Sequence, residues 1–202
     1  MLGIRARLRG DFVWYFLRRH ARGIALDVGA HYGEYLSALT KCEKVFAFEP
    51  NPYSFARLAK RTSHRIIPVQ KAVSDHCGKA TFFIDSRERM KSVASTLSEE
   101  AVRTSNGESW PKIEVDCITL DSFCVGIDPS VIKIDVELHE PEVIAGAREV
   151  IARCKPAIVF EMGEGHRSSY EPALRFLVSL GYHLTEKRQS AGVLNVGAAP
   201  PR

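Results

Sequence analysis

Two acidic residues stand near the ends of two short apolar runs in the first quarter of the sequence. Asp27 lies in "IALDV", just before Gly29 and Gly33, and Glu49 ends "KVFAFE", 20 residues after Gly29. An acidic residue in the position of Glu49 can accept hydrogen bonds from both hydroxyls of a ribose, whereas Asp27 can accept them from an ammonium group. The pair therefore predicts a ligand with adenosine at one end and an amino-acid-like or cationic group at the other.

The loop after the first run, "GAHYGE", favours the same ligand. Its glycines allow a tight turn and a close backbone approach, and backbone N–H groups at a helix start can receive polar oxygens. His31 stands where a nicotinamide dinucleotide site would have its middle glycine, so the spacing disfavours an oxidoreductase. S-adenosylmethionine has both required parts and is the predicted cofactor. The residues predicted to bind it are Asp27, Gly29, Ala30, His31, Tyr32, Gly33, Glu34, Glu49, Pro50, Asn51 and Asp135.

A second group of polar residues lies in "IDVELHE". Methyl transfer to an alcohol needs a group within hydrogen-bond reach that accepts the hydroxyl proton. Asp135 closes a strand, Glu137 and His139 follow at alternating positions, and all three are catalytic candidates. Glu140 begins the next helical pattern, where a carboxylate is favoured as a cap or first-turn acid. These acids could also bind a divalent cation, but capping explains them equally well and no metal is predicted.

The segment "EMGEGHR" supplies further candidates at the same expected edge. Glu161 ends an apolar run, and His166 lies in a glycine-containing loop. Histidine changes its protonation near neutral pH, which suits proton transfer. For both His139 and His166 a structural role stays open, as a hydrogen-bonded residue and as a loop-surface residue respectively.

These residues fall within an alternation of short apolar runs and helical patterns, which predicts an α/β fold with a doubly wound, seven-stranded, Rossmann-like parallel sheet. Residues 23–202 are read as one domain, preceded by a basic amphipathic helix at residues 1–22. Residues 76–125 interrupt the alternation as a rim insertion with strand-like stretches at 80–84 and 112–120. The predicted strands are 24–28, 44–49, 65–69, 131–135, 157–161, 182–186 and 192–197, and the predicted helices are 34–41, 52–61, 140–153 and 172–180.

Composition excludes several classes of protein. The 202 residues are 45% hydrophobic and 26% charged, as expected for one globular core. A net charge of +4 is too mild to indicate nucleic-acid binding, and no run reaches the roughly 18 apolar residues of a membrane span. A cytoplasmic location is the default expectation. The N-terminal helix is read as a packing helix, with contact to an anionic membrane surface or a partner as the alternative.

Six segments, taken in order, resemble the FkbM-type S-adenosylmethionine-dependent methyltransferases. They are "LDVGAHYGEYLSAL", "VFAFEPNPYSFARL", "KAVSDHCGKATFF", "VDCITLDSF", "VIKIDVELHEPEVIAGAREVI" and "PAIVFEM". The resemblance covers about residues 23–197 and implies a class I methyltransferase fold and methylation of a hydroxyl oxygen, often of a sugar or polyketide-like acceptor. It also implies that Ala72 and Val73 flank the adenine ring.

Two positions depart from that family's usual pattern. His31 replaces a common asparagine, and Leu138 replaces a common glycine. Leucine at position 138 is tolerated if its φ is negative and costly if φ is positive. The leucine at position 138 is expected to affect the acceptor pocket more than the cofactor site.

The leading hypothesis is a small-molecule O-methyltransferase acting on a sugar, glycolipid or polyketide-like hydroxyl. A noncatalytic binding module with the same fold is the alternative that Leu138 prompts. An RNA methyltransferase that meets phosphates through its arginine-rich first helix is a third alternative. The sequence leaves the acceptor and the oligomeric state open.

Overall fold

The computed structural model describes residues 11–84, 95–104, 110–190 and 192–201. Its strands are β1 (Ile24–Val28), β2 (Lys44–Phe48), β3 (Ile66–Val69), β4 (Ala72–Val73), β5 (Gly78–Phe83), β6 (Lys112–Ile118), β7 (Pro129–Ile134), β8 (Ala157–Gly163), β9 (His183–Ser190) and β10 (Val193–Ala199). Seven of them form the central sheet in the order β3-β2-β1-β7-β8-β10-β9. This order, with helices on both faces, is that of a class I, Rossmann-like methyltransferase fold, as the sequence predicts.

The sheet is mixed, which corrects the expectation of a wholly parallel one. Parallel pairing joins β3, β2, β1, β7 and β8, whereas β10 runs antiparallel to both β8 and β9. Only two residues separate β9 from β10, and so short a connection can join only antiparallel strands. The parallel strands all end at one edge, where the polar residues singled out above are found.

Two apolar cores lie on opposite faces of the sheet because successive strand residues point in opposite directions. In β1, Ala25 joins one core and Leu26 the other. The helices that cover the faces are α1 (Phe12–His20), α2 (Pro52–Leu58), α3 (Glu99–Thr104), α4 (Leu120–Phe123), α5 (Glu140–Ala145), α6 (Arg148–Cys154) and α7 (Arg167–Ser179). Among the described helices, none combines the length and the apolar character that a membrane crossing requires.

Helix α1 packs on the sheet through an apolar face. Asp11 caps it by accepting a hydrogen bond from the backbone N–H of Trp14, and Val13, Trp14 and Leu17 are buried. A Cβ atom at Gly197 of β10 would lie 2.8 Å from the ring of Phe16, so this glycine permits close helix-to-sheet packing. The predicted helical stretch before residue 11 lies outside the described residues.

The predicted helix at residues 34–41 is wrong, because the chain forms a run of tight turns there. Its backbone hydrogen bonds span three residues, as in Ala38 N–H to the carbonyl of Tyr35 and Leu39 N–H to that of Leu36. Positive φ values at His31 (48°) and Gly33 (79°) turn the chain just before this segment. The apolar positions are still buried, so the periodicity identified the inward face but not the helix type.

Two helices and the insertion also differ from the sequence-based prediction. The helix predicted at 140–153 is divided into α5 and α6 at Gly146, where a Cβ would lie 2.1 Å from the carbonyl oxygen of Ser74. Helix α7 begins five residues earlier than predicted and contains Pro172. The insertion strands β5 and β6 form a separate three-stranded sheet with β4.

Candidate active site

The loop after β1 is joined to the end of β7 by backbone contacts. Gly29 has a φ of 73°, and a Cβ at this position would lie 1.8 Å from the carbonyl oxygen of Asp135. The N–H groups of Gly29 and Ala30 both donate to the carbonyl oxygen of Phe48, at 3.1 and 2.9 Å. Glycine is required here by the neighbouring strand, whereas the sequence suggested close approach to a ligand as the reason.

Glu49 follows β2 and holds the same loop from the other side. Its carboxylate is buried and accepts the backbone N–H of His31 at 2.7 Å and that of Asn51 at 2.9 Å. The ring of His31 lies against Tyr32, and its Nδ1 is 2.9 Å from Oε1 of Glu34. These contacts orient the carboxylate of Glu49 at the end of β2.

Beside Glu49, a small cleft opens among the ends of β1, β2 and β4. Pro50, Ala72 and Val73, which the sequence assigned to the cofactor, lie together in its wall. His139 contributes from the β7 side and Leu97 from the insertion. The full lining is Val28, Gly29, Phe48, Pro50, Lys71, Ala72, Val73, Phe82, Leu97, Val136 and His139. A largely apolar cleft next to a buried carboxylate suits a flat aromatic ring attached to a sugar.

Lys133, which the sequence analysis missed, connects the ends of β1 and β7. Its Nζ donates to the carbonyl oxygen of Gly29 at 2.7 Å and lies 3.2 Å from Oδ1 of Asp27 and 3.2 Å from Oδ2 of Asp135. Burial acts to lower the pKa of this lysine, but Asp135 and Asp27 outweigh it and raise the pKa above its usual value. The buried Asp27 therefore meets the ammonium of Lys133. Its predicted role toward the cofactor stays a prediction.

The loop after β7 has an unusual backbone. Glu137 and Leu138 have φ values of 57° and 67°, a region that residues other than glycine rarely adopt. Thr96 of the insertion donates through Oγ1 to the carbonyl oxygen of Glu137 at 2.6 Å. Glu140 accepts the N–H of Val136 at 2.9 Å. The positive φ at Leu138 means that the replacement of the usual glycine is costly.

Known proteins with the same sequence pattern or fold identify the family. The model of the methyltransferase FkbM domain matches residues 27–184. The chain belongs to the FkbM methyltransferase family.

One relative and two solved structures with a similar fold illustrate the likeness. The hexuronic acid methyltransferase AglP of Haloferax volcanii is 30% identical over 139 residues, which are 66% of this chain and 53% of AglP. The chain thus spans about half the length of that relative. A methyltransferase FkbM from Methylobacillus flagellatus aligns with a TM-score of 0.58 and 18% identity, over 86% of this chain and 42% of that one. A protein from Streptococcus mutans in complex with SAH aligns with a TM-score of 0.52 and 8% identity, over 93% and 96% of the two chains.

The residues of this FkbM domain fit S-adenosylmethionine, the cofactor of the family. The apolar cleft and the buried Glu49 suit adenosine. On the β7 side, the side chain of Asp135 is 33% exposed, so a carboxylate faces outward beside Gly29, where a cationic group can meet it. When bound, the cofactor supplies an electrophilic methyl group.

Carboxyl groups crowd the ends of β7 and β8 in the FkbM domain. Burial, then Asp135 and Glu161, raise the pKa of Glu137 to about 9. Burial, then Asp135 and Glu140, raise the pKa of Glu161 to about 8. Burial raises the pKa of Glu140 to about 7, against a hydrogen bond donated by Tyr170. These carboxyls keep their protons at a higher pH than carboxyls in water.

Both candidate histidines have protein partners. Nε2 of His139 lies 2.9 Å from Oγ of Ser74, and burial lowers the pKa of this imidazole. Nδ1 of His166 lies 3.1 Å from Oε1 of Glu100 in α3, so this histidine meets the insertion. Within the described ranges, no three His, Cys, Asp or Glu side chains converge as metal ligands would.

The site residues that the sequence missed have long-range partners. Lys133 is the one lysine in the run "VIKID", and a charged residue in a buried strand is a signal that could have revealed it. Thr96 and Tyr170 give no such signal, because their partners lie 41 and 30 residues away along the chain.

Proposed function

We propose that this protein transfers a methyl group from S-adenosylmethionine to a hydroxyl of a sugar-type small molecule. The observation that carries the proposal is the arrangement of one sheet edge, where an apolar cleft beside the buried Glu49 adjoins a group of carboxyls with raised pKa values. The 30% identity to a hexuronic acid methyltransferase supports a sugar as the acceptor class.

Glu161 is the proton acceptor in this proposal. General base catalysis is most efficient when the pKa of the base lies near the working pH. The pKa of Glu161, raised to about 8, makes its ionised form a stronger base than an ordinary carboxylate. Glu137, with a pKa of about 9, keeps its proton near neutral pH and can donate a hydrogen bond to the acceptor.

The other candidates position these groups. Asp135 serves the cofactor side, and His139 holds the start of α5 through Ser74. His166 connects the end of β8 with the insertion through Glu100. A methyl transfer is an in-line displacement, so positioning and exclusion of water supply much of the rate.

The first test is cofactor binding. Titration calorimetry of the wild type with S-adenosylmethionine should give one site per chain. Glu49→Gln should weaken binding by about 10- to 100-fold, because a neutral amide accepts the ribose hydroxyls less strongly. Glu43→Gln, which changes an exposed glutamate just before β2, is the matched control and should bind normally. Absence of heat and of a thermal shift for the wild type would overturn the proposal.

The second test is turnover. Methyl transfer from labelled S-adenosylmethionine should be measured with methyl glucuronide and with methyl glucoside as acceptors. The rate should rise with pH through about 8, as Glu161 ionises. Firm cofactor binding without transfer to any sugar alcohol would instead support the noncatalytic binding module, which the strained Leu138 would explain.

A further inference from the structure

Lys133 makes more polar contacts than are needed to neutralise one buried acid. The three N–H bonds of its ammonium group have three acceptors nearby, on Gly29, Asp27 and Asp135. Asp27 and Lys133 are register partners in β1 and β7, so their side chains share one face of the sheet. One side chain therefore reaches both the interior of the sheet and its ligand-facing edge.

The two aspartates differ in exposure. The side chain of Asp27 is 1% exposed and that of Asp135 is 33% exposed. Gly29, whose carbonyl oxygen accepts the third bond, lines the cleft. Burial raises the pKa of the Asp27 carboxyl, and the exposed member of the group is Asp135. The contact with Asp27 is thus internal, whereas the contact with Gly29 orients a residue of the cleft wall and the contact with Asp135 orients a partly exposed carboxylate.

We propose that Lys133 is a positioning residue for the amino-acid end of S-adenosylmethionine. By holding the carbonyl of Gly29 and the carboxylate of Asp135 in place, it presents two oxygens to the ammonium group of the cofactor. The adenosine end depends on Glu49, Ala72 and Val73, and none of the Lys133 contacts given above is to these residues. The inference rests on the proposed function, because it takes this cofactor as the ligand.

The alternative is that Lys133 only compensates the buried charge of Asp27. A double variant separates the two roles. Lys133→Met alone leaves Asp27 without its partner and should lower the melting temperature. Lys133→Met combined with Asp27→Asn removes both buried charges together and should recover most of that loss. If compensation were the whole role, this double variant would bind the cofactor as the Asp27→Asn variant alone does.

The decisive measurement compares two ligands by titration calorimetry. S-adenosylhomocysteine carries the amino-acid end, and 5′-methylthioadenosine lacks it. In the double variant, the affinity for S-adenosylhomocysteine should fall about 10- to 100-fold, as expected for lost charge-assisted hydrogen bonds. The affinity for 5′-methylthioadenosine should stay within about twofold of the wild type, because its contacts are elsewhere.

Asp135→Asn is the second variant and keeps the internal pair of Lys133 and Asp27. It should show the same selective loss of S-adenosylhomocysteine binding, with a small change in melting temperature because the side chain is partly exposed. Equal loss of both ligands, or loss of neither, in both variants would overturn the role of Lys133. Failure of the wild type to bind either ligand would instead overturn the proposed function itself.

Discussion

The ligand-facing edge of the sheet has two halves that are built differently. The nucleoside half, at the ends of β1 and β2, places Gly29 at positive φ against the end of β7, has a residue other than glycine, His31, at positive φ, and gives Glu49 two backbone N–H donors. The acceptor half, at the ends of β7 and β8, has Glu137 and Leu138 at positive φ and three carboxyls with raised pKa values.

The two halves differ in how the loops after their strands are held. In the nucleoside half, the loop after β1 is held by its own backbone N–H groups, which donate to the carbonyl oxygen of Phe48 and to the carboxylate of Glu49. In the acceptor half, the loop is held by side chains, namely Thr96 of the insertion and Glu140, which itself accepts from Tyr170. Strain and buried charge of this kind persist only when the surroundings hold them, and they cluster at functional sites. The nucleoside half should therefore be intolerant of change, and parts of the acceptor half should gain stability when altered.

The largest effect is expected in the nucleoside half, for Gly29→Ala. The added Cβ would lie 1.8 Å from the carbonyl oxygen of Asp135 at a φ of 73°. We expect the free energy of unfolding to fall by at least about 3 kcal/mol, measured by urea denaturation. Gly126→Ala is the matched control, since Gly126 has a φ of 75° with nothing within 4 Å of its Cβ position. Its free energy of unfolding should fall by only about 1 kcal/mol. Equal losses for Gly29→Ala and Gly126→Ala would show that the close contact between Gly29 and Asp135 adds nothing to the cost of a positive φ.

The sequence located the strand ends of the nucleoside half better than the backbone conformation of the acceptor half, for a physical reason. Glu49 follows a strand whose apolar run is a local signal, and parallel strands bring their ends together, whereas Ala72 and Val73 were placed by the family resemblance alone. The seven central strands were found in the same way. The conformations of Glu137 and Leu138 could not be read from the residue types, since both residues usually avoid positive φ. For Leu138 the sequence predicted only that the cost depends on the sign of φ, and the structure gives a φ of 67°.

Distant partners account for the remaining gaps. Lys133 depends on the register between β1 and β7, which no short stretch of sequence contains. The turns at residues 31–41 keep the helical burial pattern while losing the helix, because burial follows the inward face and hydrogen bonding follows φ and ψ. Residues 85–94 and 105–109 of the predicted rim insertion lie outside the described residues, so its shape there stays a prediction.

The acceptor half is tested next by Glu161→Gln. Glu161 has a pKa of about 8 in the folded chain and about 4.5 when unfolded. As pH rises between these values, the unfolded chain releases this proton and the folded chain keeps it, so stability falls by up to about 1.4 kcal/mol per pH unit. The variant lacks this loss, so it should be more stable than the wild type at pH 8 and nearly equal at pH 4.

Urea denaturation at several pH values between 4 and 9 measures this difference. Glu114→Gln removes an exposed carboxyl on β6 and controls for the loss of one negative charge. The same Glu161→Gln protein should bind S-adenosylmethionine and lose methyl transfer, since the proposed base is gone. A variant that stayed less stable than the wild type at pH 8 would show that Glu161 is not held protonated by its surroundings.

The smallest effect concerns backbone strain at Leu138. Leu138→Ala and Leu138→Gly both remove the leucine side chain, but only glycine adopts a φ of 67° without strain. The glycine variant should therefore exceed the alanine variant by about 1 kcal/mol in the free energy of unfolding. The pair Lys155→Ala and Lys155→Gly is the matched control, because Lys155 has a φ of 48° at the end of α6, away from the site. One outcome is that the glycine variant is more stable than the alanine variant by a similar amount at positions 138 and 155. If methyl transfer is then faster for Leu138→Gly but unchanged for Lys155→Gly, the strain at Leu138 restricts catalysis. If Leu138→Ala were as stable as Leu138→Gly, the acceptor half would not be strained at this residue.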